Sequence, residues 1–296
     1  PASVLQDGVV PAAKGKTGSH DFKVLCAGKP VAQGAEAGGW VNVSAGRQGV
    51  FAGVRHFWQN FPKGIEVSSR GVSIQLVPPR AAPFQFYAGQ AKTHEVFFDF
   101  SGDAAAAQQR WRAFEGWPLL FADPAWIAAT EALGPFAPRD AKAFPAYENQ
   151  VEDVYSLYSQ STLASQKAGG ALGLMNFGDK GGDGGYNNLE TALGEGMMIQ
   201  FFRSGDRRFL DYADAAIRHF SDIDVDHSQK YAGGIYVHGP HAQPNAPEAD
   251  FGVNGHSWYV GVRDFYFFTG ERRLRDQARW VGEYYLKRPW PMLPQR

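Results

Sequence analysis

The chain has a single cysteine, Cys26, so an internal disulfide is excluded and the fold must hold together by packing alone. The same scarcity leaves the redox compartment open. No apolar run approaches the roughly 18 residues needed to cross a bilayer, and no membrane partner is expected. Charge of one sign is also missing: 29 Lys and Arg against 30 Asp and Glu leave a net charge of -1. Nucleic-acid-binding faces show as a basic excess, so that partner class is not expected either. There is no Walker loop, no Gly-x-Ser-x-Gly elbow and no Cys-x-x-Cys pair. The opening Pro1-Ala2-Ser3-Val4-Leu5 has no charged n-region or apolar h-region and no initiating Met, and reads as a mature, trimmed or partial chain.

What is present suits one or two globular domains: 296 residues, 44% hydrophobic and 20% charged. Aromatics reach 14% and glycines number 35, a composition common in carbohydrate-active proteins.

The pattern changes near residue 104. Before it, short alternating segments at 49–57, 71–77 and 93–100 read as strands, with Pro62, Pro78, Pro79 and Pro83 enforcing turns or edges. After it, 104–117 reads as an amphipathic helix. Asp123 before Pro124 reads as an N-cap with proline at the first helical position. Asp206 opens a helix whose Phe209, Leu210, Ala213, Ile217 and Phe220 share one face, with Asp211, Asp214 and Arg218 toward water. The expected fold is α+β and multidomain, a β-sandwich over 1–103 followed by an all-α part over 104–296.

A repeat organises the helical part. The run Phe201-Phe202-Arg203-Ser204-Gly205-Asp206-Arg207-Arg208 aligns with Tyr266-Phe267-Phe268-Thr269-Gly270-Glu271-Arg272-Arg273 at an offset of 65 residues. In each copy a helix ends at a glycine, an acid caps the next helix and two arginines follow. Such stacked hairpins form either an open solenoid or a closed α/α toroid. Six hairpins of this size would need about 390 residues by the repeat logic, and 104–296 supplies about three hairpins. The expectation is therefore a partial toroid whose partner is the remainder of the toroid or a homo-oligomer.

Four polar clusters gather the chemistry. One is the strand-to-turn run Arg55, His56, Trp58, Gln59 and Asn60; the second is Gly89-Gln90-Ala91-Lys92-Thr93-His94-Glu95. The third runs from Asn176 and Asp179 to Tyr186, Asn187, Asn188 and Glu190, with the last part at a helix N-terminus. The fourth holds His238 and His241, then Asn254, His256 and Trp258. Each also has a plain structural reading as exposed strand residues, helix caps or loop histidines. The acids of Asp222-Ile223-Asp224-Val225-Asp226-His227 lack the glycine and glutamate of a calcium loop and read as a solvated helix end. His227, His238, His241 and His256 lack metal-ligand spacing, and the glycines 181–185 follow no buried strand, so neither metal nor nucleotide cofactor is expected.

Taken together, the run Gly53 to Lys63, then Gly89 to Glu95, Gly185-Tyr186-Asn187-Asn188 and His238-Gly239-Pro240-His241 resemble the exo-rhamnogalacturonan lyase, or YetA-like, family. That resemblance implies a central β-sandwich from about residue 10 to 103, preceded in the family by a β-barrel, and the front half of an α/α toroid from 104 onward. It also implies β-elimination in a uronate-containing polysaccharide such as rhamnogalacturonan or pectin, in an extracellular or periplasmic setting. The reaction needs a group to neutralise the C6 carboxylate, for which Arg55 and Asn188 are candidates. It needs a base for the C5 proton, from His238, His256 or Tyr186, and an acid for the leaving oxygen, from Tyr186 or Lys92. Trp58 and Trp258 would stack on sugar rings. His56, Gln59, His94, Asp179, Asn187, His241 and Asn254 would complete the substrate contacts. The rival reading is a glycoside hydrolase of glucuronides or unsaturated uronides using carboxylates such as Asp179, Asp183, Glu190 or Asp250. A third is a non-catalytic glycan-binding subunit.

Overall fold

The structure, a computed structural model, describes residues 2–9, 19–46, 48–81, 86–167, 172–179, 192–236 and 259–287. The alternating N-terminal segments form two antiparallel sheets. Strands β1 (Ala2–Val9), β2 (Ser19–Cys26), β3 (Lys29–Gly34), β6 (Lys63–Ser68) and β7 (Gly71–Gln75) lie in the order β3-β2-β1-β6-β7. Strands β4 (Trp40–Ala45), β5 (Gln48–Val54) and β8 (Val96–Asp99) lie in the order β4-β5-β8. The β2–β3 turn places Ala27 and Gly28 at φ 49° and 80°, the doubly left-handed geometry whose twist matches antiparallel strands. Strand β7 stops at Gln75, just short of Pro78 and Pro79, which have no N–H to give a ladder.

Apolar side chains from both sheets share one core. Val54 and Val41 from the smaller sheet pack in a cluster with Ile65, Phe22, Val72 and Ile74 from the larger one. On the other face of β5, helix α1 (Ala104–Gly116) lays Trp111 over Gly53, where an added Cβ would stand 2.6 Å from the ring. Phe51, Phe97, Ala107 and Phe114 complete that layer. Asp103 caps α1 by accepting from the Ala106 N–H at 3.0 Å.

After α2 (Pro124–Thr130) and α3 (Pro145–Lys167), the remaining described helices come as two packed pairs, α4 (Leu193–Ser204) with α5 (Arg207–His219) and α6 (Val260–Thr269) with α7 (Arg272–Leu286). Asp123 caps α2 with Pro124 at its first position, as the sequence predicts. Helix α4 packs against both α2 and α6, with Phe121, just before α2, on Phe201 (4.4 Å between centroids) and Phe268 of α6 on Phe202 (5.2 Å). Tyr155 of α3 meets Phe209 of α5 edge to face at 5.0 Å.

The repeat holds at the level of individual hydrogen bonds. Gly205 and Gly270 end α4 and α6 at φ 70° and 71°, donating to the carbonyls of Phe201 and Tyr266. Ser204 and Thr269 hydroxyls bond back into their helices and receive the N–H of Asp206 and Glu271. Arg208 and Arg273 then fold back onto Asp206 and Glu271 and reach a second acid, Glu152 or Asp222. One detail differs: Asp206 accepts from the Arg208 N–H, whereas Glu271 makes no capping bond.

Two expectations for α5 are corrected. Asp211 faces water, but Asp214 and Arg218 do not: they form a 2.6 Å ion pair with side chains only 5% and 12% exposed. Glu271 joins Arg218 from the far side at 3.1 Å, so the polar face of α5 is covered by the next hairpin.

The chain groups into two compact units that interleave in sequence. The sheet unit is Pro1–Phe84, Thr93–Leu120 and Lys167–Leu174; the helical unit is Gln85–Lys92, Phe121–Gln166 and Met175–Arg296. Helix α1 thus belongs with the sheets, and the Gly89 loop belongs with the helices.

Candidate active site

The strongest concentration of buried polar groups lies in the helical unit, where α5 leaves its α-helical course. The helix continues as a π-turn over Phe220–Asp224, a geometry that recurs at functional sites. The turn ends at Val225, which bridges antiparallel to Ile235. Tyr236 N–H donates to the Asp224 carbonyl at 2.7 Å, and Tyr236 Oη donates to Asp226 Oδ2.

Two loops complete the enclosure. In the first, Ala91 N–H donates to the Asp222 carbonyl at 3.1 Å, and the Gly89 carbonyl accepts from His227 N–H at 2.7 Å. Gly89 sits at φ +99° with its Cα so close that an added Cβ would stand 2.4 Å from Asp226 Oδ2. Only glycine meets both conditions. In the second, Gly178 at φ +96° presses on α5 beside His219, and Asp179 closes a turn onto the Asn176 carbonyl at 2.9 Å.

The sequence reads residues 222–227 as a solvated helix end. The structure corrects this: Asp222, Asp224 and Asp226 are 2%, 0% and 1% exposed. Each needs compensation at that depth. Asp222 has the Arg273 guanidinium at 2.5 Å, Asp226 has Tyr236 Oη and the Ser228 N–H, and Asp224 lies 3.4 Å from His219 Nε2. Burial drives His219 down to about 3, with nearby Lys92 adding to the shift, so its ring is neutral at ordinary pH. Burial likewise brings Lys92 down to about 8, against the pull of Asp222 and with Arg273 and Arg218 reinforcing the drop. The Tyr259 hydroxyl is pushed up by burial alone. Among the described residues, Ser221 Oγ, Tyr259 Oη, Gln277 Oε1 and Arg273 Nη2 are buried without a hydrogen-bond partner. Native interiors satisfy most such atoms, so their gathering around one turn makes this region the candidate site.

Of the residues singled out in the sequence, Lys92 and Asp179 come to this cluster; Asp179 is buried at 1% exposure. The depth of Asp222, Asp224 and Asp226 had no local signal in the sequence, because alternation with Ile223 and Val225 marks one covered face and leaves the acids on the other.

Arg55, His56, Trp58, Gln59 and His94 lie in the sheet unit. Arg55 is 6% exposed and fully engaged: Nη1 pairs with Glu95 at 2.9 Å, Nε donates to the Glu115 carbonyl at 3.3 Å, and the guanidinium lies 4.9 Å from the Trp117 ring. His56 takes φ 53° in the turn after β5, and its carbonyl accepts from the Asn60 amide at 3.0 Å. Gln59 gives its carbonyl to Gly173 N–H at 2.7 Å, His94 is half-buried just before β8, and Trp58 lines a cleft.

Tyr186, Asn187, Asn188, His238, His241, Asn254, His256 and Trp258 lie outside the described residues, as do Asp183, Glu190, Asp250 and the glycines 181–185. Among the described residues, no group of three or more His, Cys, Asp or Glu side chains is arranged to hold a metal ion. None of their helices is long and apolar enough to cross a membrane. Comparison with protein-family models and with curated proteins finds no match to this chain.

Proposed function

We propose that this protein is a carbohydrate-active enzyme that cleaves a uronate-containing polysaccharide by β-elimination, in the manner of rhamnogalacturonan lyases. The observation that carries the reading is a single amine: Lys92, brought down to about 8 beside two arginines and a buried carboxylate. At neutral pH that ammonium is protonated yet gives up its proton readily, as the leaving-group step requires. Arg273 holds Asp222 through Nη1, its Nη2 is buried without a partner among the described residues, and its side chain is 29% exposed; this guanidinium is our candidate for the substrate's C6 carboxylate. That assigns to Arg273, with Arg218 behind it, the role the sequence offers to Arg55, whose charge is already taken by Glu95. A base from His238, His256 or Tyr186 removes the C5 proton. The electron pair forms the C4–C5 double bond, the C4–O bond breaks, and Lys92 protonates the departing oxygen.

The same reading takes the two sheets as a β-sandwich, supported by the core that Val54 and Ile65 share. It takes the helix pairs as an arc of an α/α toroid, supported by the α2–α4–α6 succession and the matched bonds of Gly205 and Gly270. A secreted or periplasmic location goes with a polysaccharide substrate.

Hydrolysis is the second reading, favoured by Asp179, which is held in a hydrogen-bonded turn rather than left in a pliant glycine loop. Incubation with rhamnogalacturonan and uronate oligosaccharides separates the two. Near-ultraviolet absorbance of the new conjugated double bond should rise together with reducing ends. Reducing ends without absorbance would overturn elimination and move the search to Asp179.

A further inference from the structure

The sheet unit contains a cleft of about 360 Å³ that plays no part in the chemistry above. One wall is a single stripe of α1, Gln108, Trp111, Arg112 and Glu115, residues that helical spacing puts on one face. The other wall is the loop carrying Glu36 and Gly38, together with Trp40 of β4 and Trp58. Trp111 is 2% exposed and forms the floor. Trp40 lies flat on Phe51, with centroids 5.1 Å apart and planes 15° from parallel, and keeps 36% exposure. It is a ring backed by Phe51 and partly exposed in the cleft lining.

We propose that this cleft binds a neutral pyranose unit of a glycan. Three features define the ligand. A rigid indole suits the C–H face of a sugar ring, which gains by stacking and needs no charge. Around it stand planar polar groups, Gln108, Arg112, Glu36 and Glu115, each able to bond adjacent hydroxyls in pairs. The volume lies near the lower end for small-molecule sites, which run from about 300 to 1,000 Å³, and suits one or two rings.

The charge of the lining sets the selectivity. Two carboxylates face one guanidinium, so a uronate would bring a third negative charge into a site with one cation. Glu115 is already raised by burial, with Arg55 opposing, and a further anion beside it is disfavoured. The cleft therefore takes the neutral sugars of a mixed polysaccharide, while the Lys92 and Arg273 cluster takes its uronates. This deepens the glycan reading and rests on it for the class of molecule.

Arg55 acts here as a positioning residue. Its bond to the Glu115 carbonyl, its pairing with Glu95 and its place over Trp117 fix the end of α1 that forms one wall.

The test is a titration of tryptophan emission in the full chain with galactobiose, cellobiose, methyl α-rhamnoside and trigalacturonate. At least one neutral sugar should give a saturable change, and trigalacturonate should give none over the same concentrations. Gln108→Ala and Arg112→Ala should each weaken that binding roughly tenfold, the loss of a hydrogen bond involving a charged group, with melting temperature unchanged. Lys92→Met should bind as wild type. No saturable response to any neutral sugar, equal or tighter binding of trigalacturonate, or a response that survives both α1 substitutions would overturn the proposal. Binding without cleavage of any polysaccharide would count against elimination and leave the cleft standing. Cleavage without neutral-sugar binding would do the reverse.

Discussion

At the scale of single residues, two titrating groups make stability rise with pH, one on each side of neutrality. Lys92 has its folded value near 8 against an ordinary 10.5. Between those values the unfolded chain holds the extra proton, so the stability contributed at this site rises as pH climbs from 8 to 10.5. Activity moves the other way. As the acid of the proposed elimination, Lys92 must be protonated, and kcat should fall with an apparent midpoint near 8. Lys92→Met should abolish turnover, flatten the stability profile across that window and leave the protein no less stable at neutral pH. An unchanged alkaline limb in that variant would remove Lys92 from the reaction. His219 lies on the acid side, its folded value near 3 against an ordinary 6.5. There too the unfolded chain binds the proton first, so stability is lost as pH falls from 6.5 toward 3. Urea midpoints measured across that range should slope steeply in wild type and less so in His219→Gln.

At the scale of elements, the repeat was legible because it is written in local chemistry. A glycine at φ 70° or 71°, an acid after it and an arginine two positions on do the same work in both hairpins. The strand segments were legible for the same reason, with ends displaced: 93–100 contracts to Val96–Asp99, and 49–57 gives way after Val54 to the turn carrying His56 at φ 53°. What local pattern could not carry was depth. Asp214, Arg218 and Asp222 read as solvent-facing because nothing nearby in sequence announces Glu271 and Arg273, which cover them. The one asymmetry between the repeats makes a prediction. Asp206→Ala removes a true cap and should cost about 1 kcal/mol in urea unfolding with catalysis intact. Glu271→Ala removes no capping bond but releases Arg218 and Arg273, so it should shift the alkaline midpoint of kcat instead. Identical effects from the two substitutions would mean that the arginines are indifferent to Glu271.

At the scale of the whole molecule, a cut between the sheets and the helices at residue 103 would not separate the two units. The Gln85–Lys92 segment would be left on the wrong side, and with it the Ala91 bond to Asp222, the Gly89 bond to His227 and the amine of Lys92. The expected outcome for 104–296 expressed alone is loss of cooperative unfolding and of near-ultraviolet circular dichroism. A truncated chain with a sharp unfolding transition would show instead that the π-turn holds its buried acids without that loop. Adding a synthetic peptide of 85–92 in trans should recover part of the signal.

The interleaving also has a consequence in time. A ribosome releases residues 85–92 long before it makes Asp222, Asp226 or Arg273, so this loop must wait with its polar groups in water while the intervening chain is synthesised. Contacts so distant in sequence form late and slowly. The sheets can settle around β1, β2 and β6 early, but the π-turn cannot close until Arg273 of α7 has emerged. Closure of the candidate site is thus tied to the synthesis of α7, and a nascent chain stalled before it would carry finished sheets beside an open π-turn whose apolar Phe220 and Ile223, buried in the folded protein, chaperones would shelter.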